Sequence, residues 1–395
     1  MKKIAFLIPT LQGGGAEKLV SILSKELDKH YDLTIIFYND SNRAYSYSGK
    51  MINLNISNDG NFFRRTINFC KKIKGIRKIK SDNNYDVVVS FMDGANIVNL
   101  LTKKNEKVVT SLHTMISERN KDINFYLYTT AVKFLYKKSD LIITVSKAIK
   151  LNLIKKYKIK SSKLKVIYNP IESELISSKI IEPLEEGEHK IFDKQTIINV
   201  GRIEEVKGQI HLIRILSELN KQGSDINLIV VGEGNLKSKL LEAVKFYGVE
   251  NNVFFLGFKN NPYKYLKRSS LYVHTSYFEG FGNVLIEAMA CSLPVIATNC
   301  PGGPLEILSG EESSQLSSSF TISYLNYGVL TPPISKKDSS LNHLVASEKH
   351  LLNAIKLMLE DRDLLEEYSQ KGKERANSFS TKIIIVKWKE LLNEI

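Results

Sequence analysis

The sequence predicts an α/β protein built from two doubly wound domains. Three observations predict it. The chain has 395 residues, and at about 100–200 residues per domain that length fits two domains. Short apolar runs alternate with amphipathic stretches, the rhythm of parallel strands joined by crossover helices. Most of those runs are continuously apolar, as in strands covered on both faces.

In the first half, strands are expected at 3–9, 32–38, 51–56, 86–91, 107–112, 140–145 and 164–168. Helices are expected at 16–29, 62–80, 94–103, 122–138 and 147–157. Asn169-Pro170 and the polar stretch after it break the rhythm. Domain boundaries follow: a first domain over 1–170, a linker over 171–195, a second domain over 196–379 and a terminal helix over 380–395. The second domain restarts with strands at 196–200, 226–231, 252–256, 271–275, 294–298 and 327–331. Its helices fall at 207–222, 235–247, 262–268, 283–291, 340–360 and 363–378. Ile384, Ile385, Trp388, Leu391 and Leu392 share one face of the last helix, which must dock, and the first domain is the expected seat. The pattern is that of two Rossmann-like domains facing across a cleft. A serine-rich insertion, 309–326, is a lid or a loop tip.

An apolar fraction of 43% and a charged fraction of 25% exclude a disordered or fibrous chain. No apolar run has the ~18 residues of a membrane-spanning helix. Cys70, Cys291 and Cys300 form neither a zinc pattern nor a disulfide framework, which suits a reducing cytoplasm. Lys2-Lys3 and the short apolar run after them read as a first strand rather than a signal peptide.

The net charge of +14 is unevenly placed: residues 1–170 hold 31 Lys and Arg against 13 Asp and Glu, the remainder 25 against 29. An anionic partner for the first half is implied. The densest stretch, Phe62–Lys80 (FFRRTINFCKKIKGIRKIK), has eight basic residues and no acidic one. Phe62, Phe69, Ile73 and Ile76 form one helical stripe, with Phe63, Ile67 and Cys70 beside it. That pattern suits a helix lying in an anionic membrane surface, against the plainer reading of a stripe packed on its own domain. No nucleic-acid-binding motif is present.

Three glycine-rich loops carry chemistry. Gly13-Gly14-Gly15 ends the first strand and opens a helix, where backbone amides suit an anion. Gly201-Arg202 follows the strand ending at Val200, and Lys207-Gly208 opens the next helix. An arginine and a lysine at the carboxyl end of a strand suit a phosphate. Glu279-Gly280-Phe281-Gly282-Asn283-Val284, with Glu287 inside the following helix, is the strongest feature. Asn283 is placed to cap a helix whose first amides face the ligand. Gly232-Glu233-Gly234 lacks the third glycine of a dinucleotide fingerprint, which argues against an oxidoreductase. Asp361-Arg362-Asp363 reads as solvated surface.

The E-G-F-G-x-x-x-x-E block, preceded by G-R-x-x-x-x-K-G and followed by Pro294-Val295-Ile296-Ala297-Thr298, resembles the retaining GT-B glycosyltransferases of family 4. G-G-G-A-E in the first loop fits as well, more loosely. The resemblance implies a sugar moved from a nucleotide diphosphate, UDP over GDP, to a lipid-diphosphate-linked or growing surface glycan, with no metal and no cofactor. It implies that Arg202 and Lys207 hold the diphosphate with Gly201, Gly280 and the amides of Phe281, Gly282, Asn283 and Val284. Glu287 would bind the ribose, Glu279 the donor sugar, and Phe258 would lie by the base. Gly14 and Gly15 would touch the diphosphate, and His113 would lie near the transferred sugar. Cys300-Pro301-Gly302-Gly303-Pro304 resembles a variant found in bacterial polysaccharide transferases, some of which use UDP-N-acetylhexosamines. The implied location is the cytoplasmic face of a membrane, without insertion. The alternative is a noncatalytic nucleotide-sugar or glycan-binding protein on the same scaffold.

Overall fold

The computed structural model describes residues 1–39, 43–57, 60–118, 123–310, 321–340 and 343–395. The chain divides into two units, Met1–Pro170 with Thr381–Ile395, and Ile171–Ser380. Most of the serine-rich insertion, 311–320, lies outside the described residues.

The first unit holds strands β1 (Lys3–Thr10), β2 (Asp32–Asn39), β3 (Lys50–Asn53), β4 (Val87–Phe91), β5 (Lys107–Leu112), β6 (Leu141–Thr144) and β7 (Leu164–Val166). They pair in parallel in the order β3-β2-β1-β4-β5-β6-β7. The second unit holds β8 (Gln195–Val200), β9 (Ile226–Val231), β10 (Val253–Gly257), β11 (Leu271–His274), β12 (Val295–Thr298), β13 (Ser323–Leu325) and β14 (Gly328–Thr331). Its order is β10-β9-β8-β11-β12-β14-β13, with β13 antiparallel to β14. In each sheet the winding reverses between the first strand and the fourth, β1/β4 and β8/β11. Open α/β sheets bind ligands beyond the carboxyl ends of the strands at such a point.

Central strands are buried because helices cover both faces: β4 and β9 are buried along their whole length. The helix Thr381–Glu394 completes the first unit's core, with Trp388, Leu391 and Leu392 packed among Phe6, Phe91 and Leu23. It docks as the sequence predicts.

Three features depart from the predicted outline. The stretch 171–195 is structured: it forms a helix, Ser173–Lys179, and is tied to the second unit. Asn261 donates to the Lys179 carbonyl, and Tyr265 donates to Glu188. β13, with three residues, is too short to signal itself as a strand. The helix expected from 340 begins at Ala346, where the Glu348 carboxylate accepts from the Val345 amide.

The basic helix runs Phe62–Asn83 and divides along its length. Toward its end, Ile76 is buried, and Ile73 and Ile79 pack against the same core. Lys72 lies with its ammonium 4.7 Å over the Tyr38 ring. Lys80 meets Glu106 at 2.6 Å and also donates to Asn99, so this cation is compensated inside the domain. Burial lowers the Lys80 pKa to about 8 against the pull of Glu106. Near its start, Phe62 is 85% and Phe63 72% exposed, beside the exposed Arg64 and Arg65. The predicted stripe is therefore part core and part surface.

Candidate functional site

The second unit's loops interlock around the switch point. The loop after β8 carries Gly201, Arg202 and Lys207; the loop after β11 carries Ser276 to Gly282. Thr275 donates through Oγ1 to the Lys207 carbonyl at 2.9 Å, and the Tyr277 amide donates to the Val206 carbonyl at 2.8 Å. Gly208, at φ +61°, packs so closely on the Thr275 carbonyl that a side chain would overlap it.

Gly232 and Gly234 act here as well, not as a cofactor fingerprint. A Cβ on either would run into the backbone of Gly201 or Ile203, so this turn is a floor beneath the Arg202 loop. The Ile203 amide donates to the Glu233 carbonyl at 2.9 Å. On the other side, Gly302 and Gly303 lie against the carbonyls of Glu279 and Phe281, and the Glu279 amide donates to the Pro301 carbonyl at 2.9 Å.

The result is a junction of Lys207 and Glu279. Lys207 Nζ lies 2.5 Å from Glu279 Oε1, and the two side chains are 24% and 14% exposed. His274 Nε2 at 3.0 Å and Ser276 Oγ at 2.8 Å meet the same oxygen. Burial alone would raise the Glu279 carboxyl, but the Lys207 charge and the bonds from His274 and Lys207 hold it far below its ordinary range. Glu279 is an anion, and Lys207 its counter-ion.

Beside this pair the helix Asn283–Ala290 begins, with Gly282 rather than the expected Asn283 at its N-cap, at φ +103° and with no capping side chain. The positive end of the helix dipole thus lies next to a lysine. Glu287 is one turn inside, 7% exposed, and accepts from the Tyr263 hydroxyl at 3.5 Å. Phe281 is buried edge-to-face on Phe379 and Gly280 is also buried, so both set the loop's shape. Asn283 and Val284 are half-buried. Arg202 is 72% exposed and pairs with Glu204 at 2.9 Å. Phe258 is 73% exposed beyond β10. Asp361 caps the helix Arg362–Asn377 through the Leu364 amide at 2.9 Å.

In the first unit, Gly14 stands at the N-cap of the helix Gly15–Leu27, and the Glu17 carboxylate folds back over it, so that a Cβ there would displace the end of that side chain. Thr10 donates to Glu17 at 3.2 Å. His113 follows β5, with Nε2 3.0 Å from Ser111 Oγ. Burial lowers its pKa to about 4 against the pull of Asp93, so the ring is neutral at pH 7. Asp93, after β4, accepts from Tyr128 at 2.5 Å.

Sequence reasoning passed over His274, Ser276 and the Gly232/Gly234 floor. His274 ends a strand in an apolar run and reads as core. The glycines signal only a turn until the neighbouring loop is seen. Among the described residues no cluster of His, Cys, Asp and Glu could hold a metal ion.

Two seven-stranded Rossmann-like units, each with its winding reversed at one switch point, are the layout of the GT-B fold. Residues 13–175 match the model of Glycosyltransferase Family 4, and residues 182–318 that of Glycosyl transferases group 1. An uncharacterised glycosyltransferase of Methanocaldococcus jannaschii, MJ1059, is 35% identical over 337 residues, 82% of each chain. This chain belongs to that glycosyltransferase family and is an enzyme. The N-acetylgalactosamine-N,N'-diacetylbacillosaminyl-diphospho-undecaprenol 4-alpha-N-acetylgalactosaminyltransferase of Campylobacter jejuni is 29% identical over 392 residues, 96% of each chain. HepE of Anabaena, solved with UDP-glucose, superposes over both whole chains with a TM-score of 0.76 at 21% identity.

Proposed function

We propose that the protein moves an N-acetylhexosamine from a UDP-sugar to a lipid-diphosphate-linked or growing surface glycan, with retained anomeric configuration and without a divalent metal. The Lys207–Glu279 junction beside the helix start carries this reading. Transfer breaks the bond between the anomeric carbon and the phosphate oxygen, and the acceptor hydroxyl takes its place. Negative charge grows on the departing diphosphate, where a nearby ammonium and helix amides stabilise it most. Lys207 meets that charge with the amides of Asn283 and Val284, and Arg202 swings in from its exposed pair with Glu204. Glu279 accepts from sugar hydroxyls, buried Glu287 from the ribose, and the exposed Phe258 ring lies against the base. In the first unit, Gly14 and Gly15 offer amides to an anion, and neutral His113 offers a hydrogen bond to a sugar hydroxyl.

The lipid-linked acceptor is suggested by the Campylobacter relative, whose name describes an acceptor on diphospho-undecaprenol. UDP is suggested by HepE, solved with UDP-glucose. No helix among the described residues is long and apolar enough to cross a membrane. The bare Phe62 and Phe63 beside Arg64 and Arg65 suit peripheral binding to an anionic membrane, at its cytoplasmic face.

The test is release of UDP from UDP-N-acetylhexosamines with a diphospho-polyprenol-linked glycan as acceptor, with and without EDTA. Acceptor-dependent release unchanged by EDTA is expected. No turnover with any UDP-sugar, or a requirement for metal, overturns the reading.

A further inference from the structure

Behind the start of the helix Asn283–Ala290 lies a cavity of about 30 Å³, lined by Asn199, Lys207, Tyr272, His274, Ser276 and Glu279. His274 closes β11 and is 4% exposed. Its Nε2 faces Glu279 Oε1 at 3.0 Å, which places a proton on that nitrogen. Its Nδ1 is sealed from solvent and meets no partner among the described residues. A buried ring nitrogen without a partner costs free energy, and an apolar side chain would fill this strand end without that cost.

The benefit lies at Glu279. Lys207, Ser276 and His274 all bond its Oε1, and none bonds its Oε2. The three differ in what an arriving diphosphate does to them. Lys207 is a mobile point charge and is drawn to the phosphate. His274 and Ser276 are fixed at a strand end and a turn and cannot follow.

We propose that His274 is a positioning residue for transfer: it holds one oxygen of Glu279 while Lys207 turns to the leaving diphosphate, so that the other oxygen stays aimed at the donor sugar. This rests on the reading of Lys207 and Glu279 given above. With His274 absent, the carboxylate would follow Lys207 or rotate, and the nucleotide would bind while its sugar lost a partner.

The test compares His274→Leu and His274→Gln with Lys207→Ala and Glu279→Gln, measuring UDP affinity and kcat for each. Leucine removes both ring nitrogens at similar volume, whereas a glutamine amide can donate where Nε2 does. His274→Leu is expected to bind UDP within about twofold of wild type with kcat lowered roughly 10–100-fold, and His274→Gln to recover to within about fivefold. Wild-type kcat in His274→Leu, or equal losses in the two variants, overturns the proposal. Should His274→Leu lack a cooperative melt, His274→Asn replaces it, because its amide is too short to reach Oε1. Wild-type transfer in both Lys207→Ala and Glu279→Gln would instead overturn the reading of the site. Loss in those two with none in His274→Leu removes only the role of His274.

Discussion

Lys207 and Glu279 lie 72 residues apart in the chain, on loops leaving the two strands where the second sheet reverses its winding, and they meet at 2.5 Å. Lys207→Ala is expected to keep the circular dichroism of the wild type and to lower transfer about 10²–10³-fold, the usual cost of removing one donor to a developing anion. Glu287→Ala should likewise fold and lose transfer. Near-normal turnover in both would contradict the assignment.

The same pair has a pH signature. The Glu279 carboxyl is depressed below its ordinary 4.5 in the folded protein. Its stabilising contribution is therefore complete above that value and is lost as pH falls toward the folded pKa. Lys207→Ala returns the folded pKa toward the unfolded one, so the variant is less stable at neutral pH but loses less on acidification. Melting temperatures from pH 6 to 3 should converge; parallel curves would speak against the coupling.

His113 titrates at a different pH. Its pKa falls from 6.5 to about 4 through burial, offset in part by Asp93. The unfolded chain binds a proton that the folded one refuses, so stability drops as pH falls from 6.5 to about 4. His113→Asn should lack that component. Melting at pH 7, 5.5 and 4.5 is the check, and identical slopes would refute it.

Gly303→Ala places a Cβ on the Phe281 carbonyl, a backbone contact with no flexible side-chain end to yield. A loss of about 1–3 kcal/mol is expected, together with weaker UDP binding. Gly94→Ala is the control, since nothing lies within 4 Å of a Cβ there. Calorimetry and a UDP titration on both variants decide it.

Phe62 and Phe63 should matter to membranes and not to folding. Phe62→Ser with Phe63→Ser is expected to leave the melting temperature within about 2 °C and to reduce binding to anionic vesicles at low salt by at least about tenfold. Binding unchanged by the double variant, or absent in the wild type, would remove this surface from the membrane reading.

The fold was legible where burial on two faces leaves a long apolar run, as at Ile4–Ile8 or Val87–Val89. β13 escaped because a three-residue antiparallel edge needs only backbone pairing and tolerates Ser323 and an exposed Tyr324. The Lys207 and Glu279 loops were legible from their glycines. That the two side chains touch was not, since contact across a switch point depends on strand order. The inward turn of Lys80 was hidden likewise: its partner, Glu106, lies outside that helix, on the loop before β5, and reads as ordinary surface charge.

The helix Thr381–Glu394 places Trp388 in the core begun by β1. The unit whose strands leave the ribosome first therefore waits for the tail of the chain to close its hydrophobic interior. Ile171–Ser380 is synthesised in between and finds its own core complete beforehand. Truncation before Trp388 would then unseat the opening half of the molecule, leaving the later-made half intact, and a nascent chain stalled there would expose Phe91 and its neighbours to chaperones.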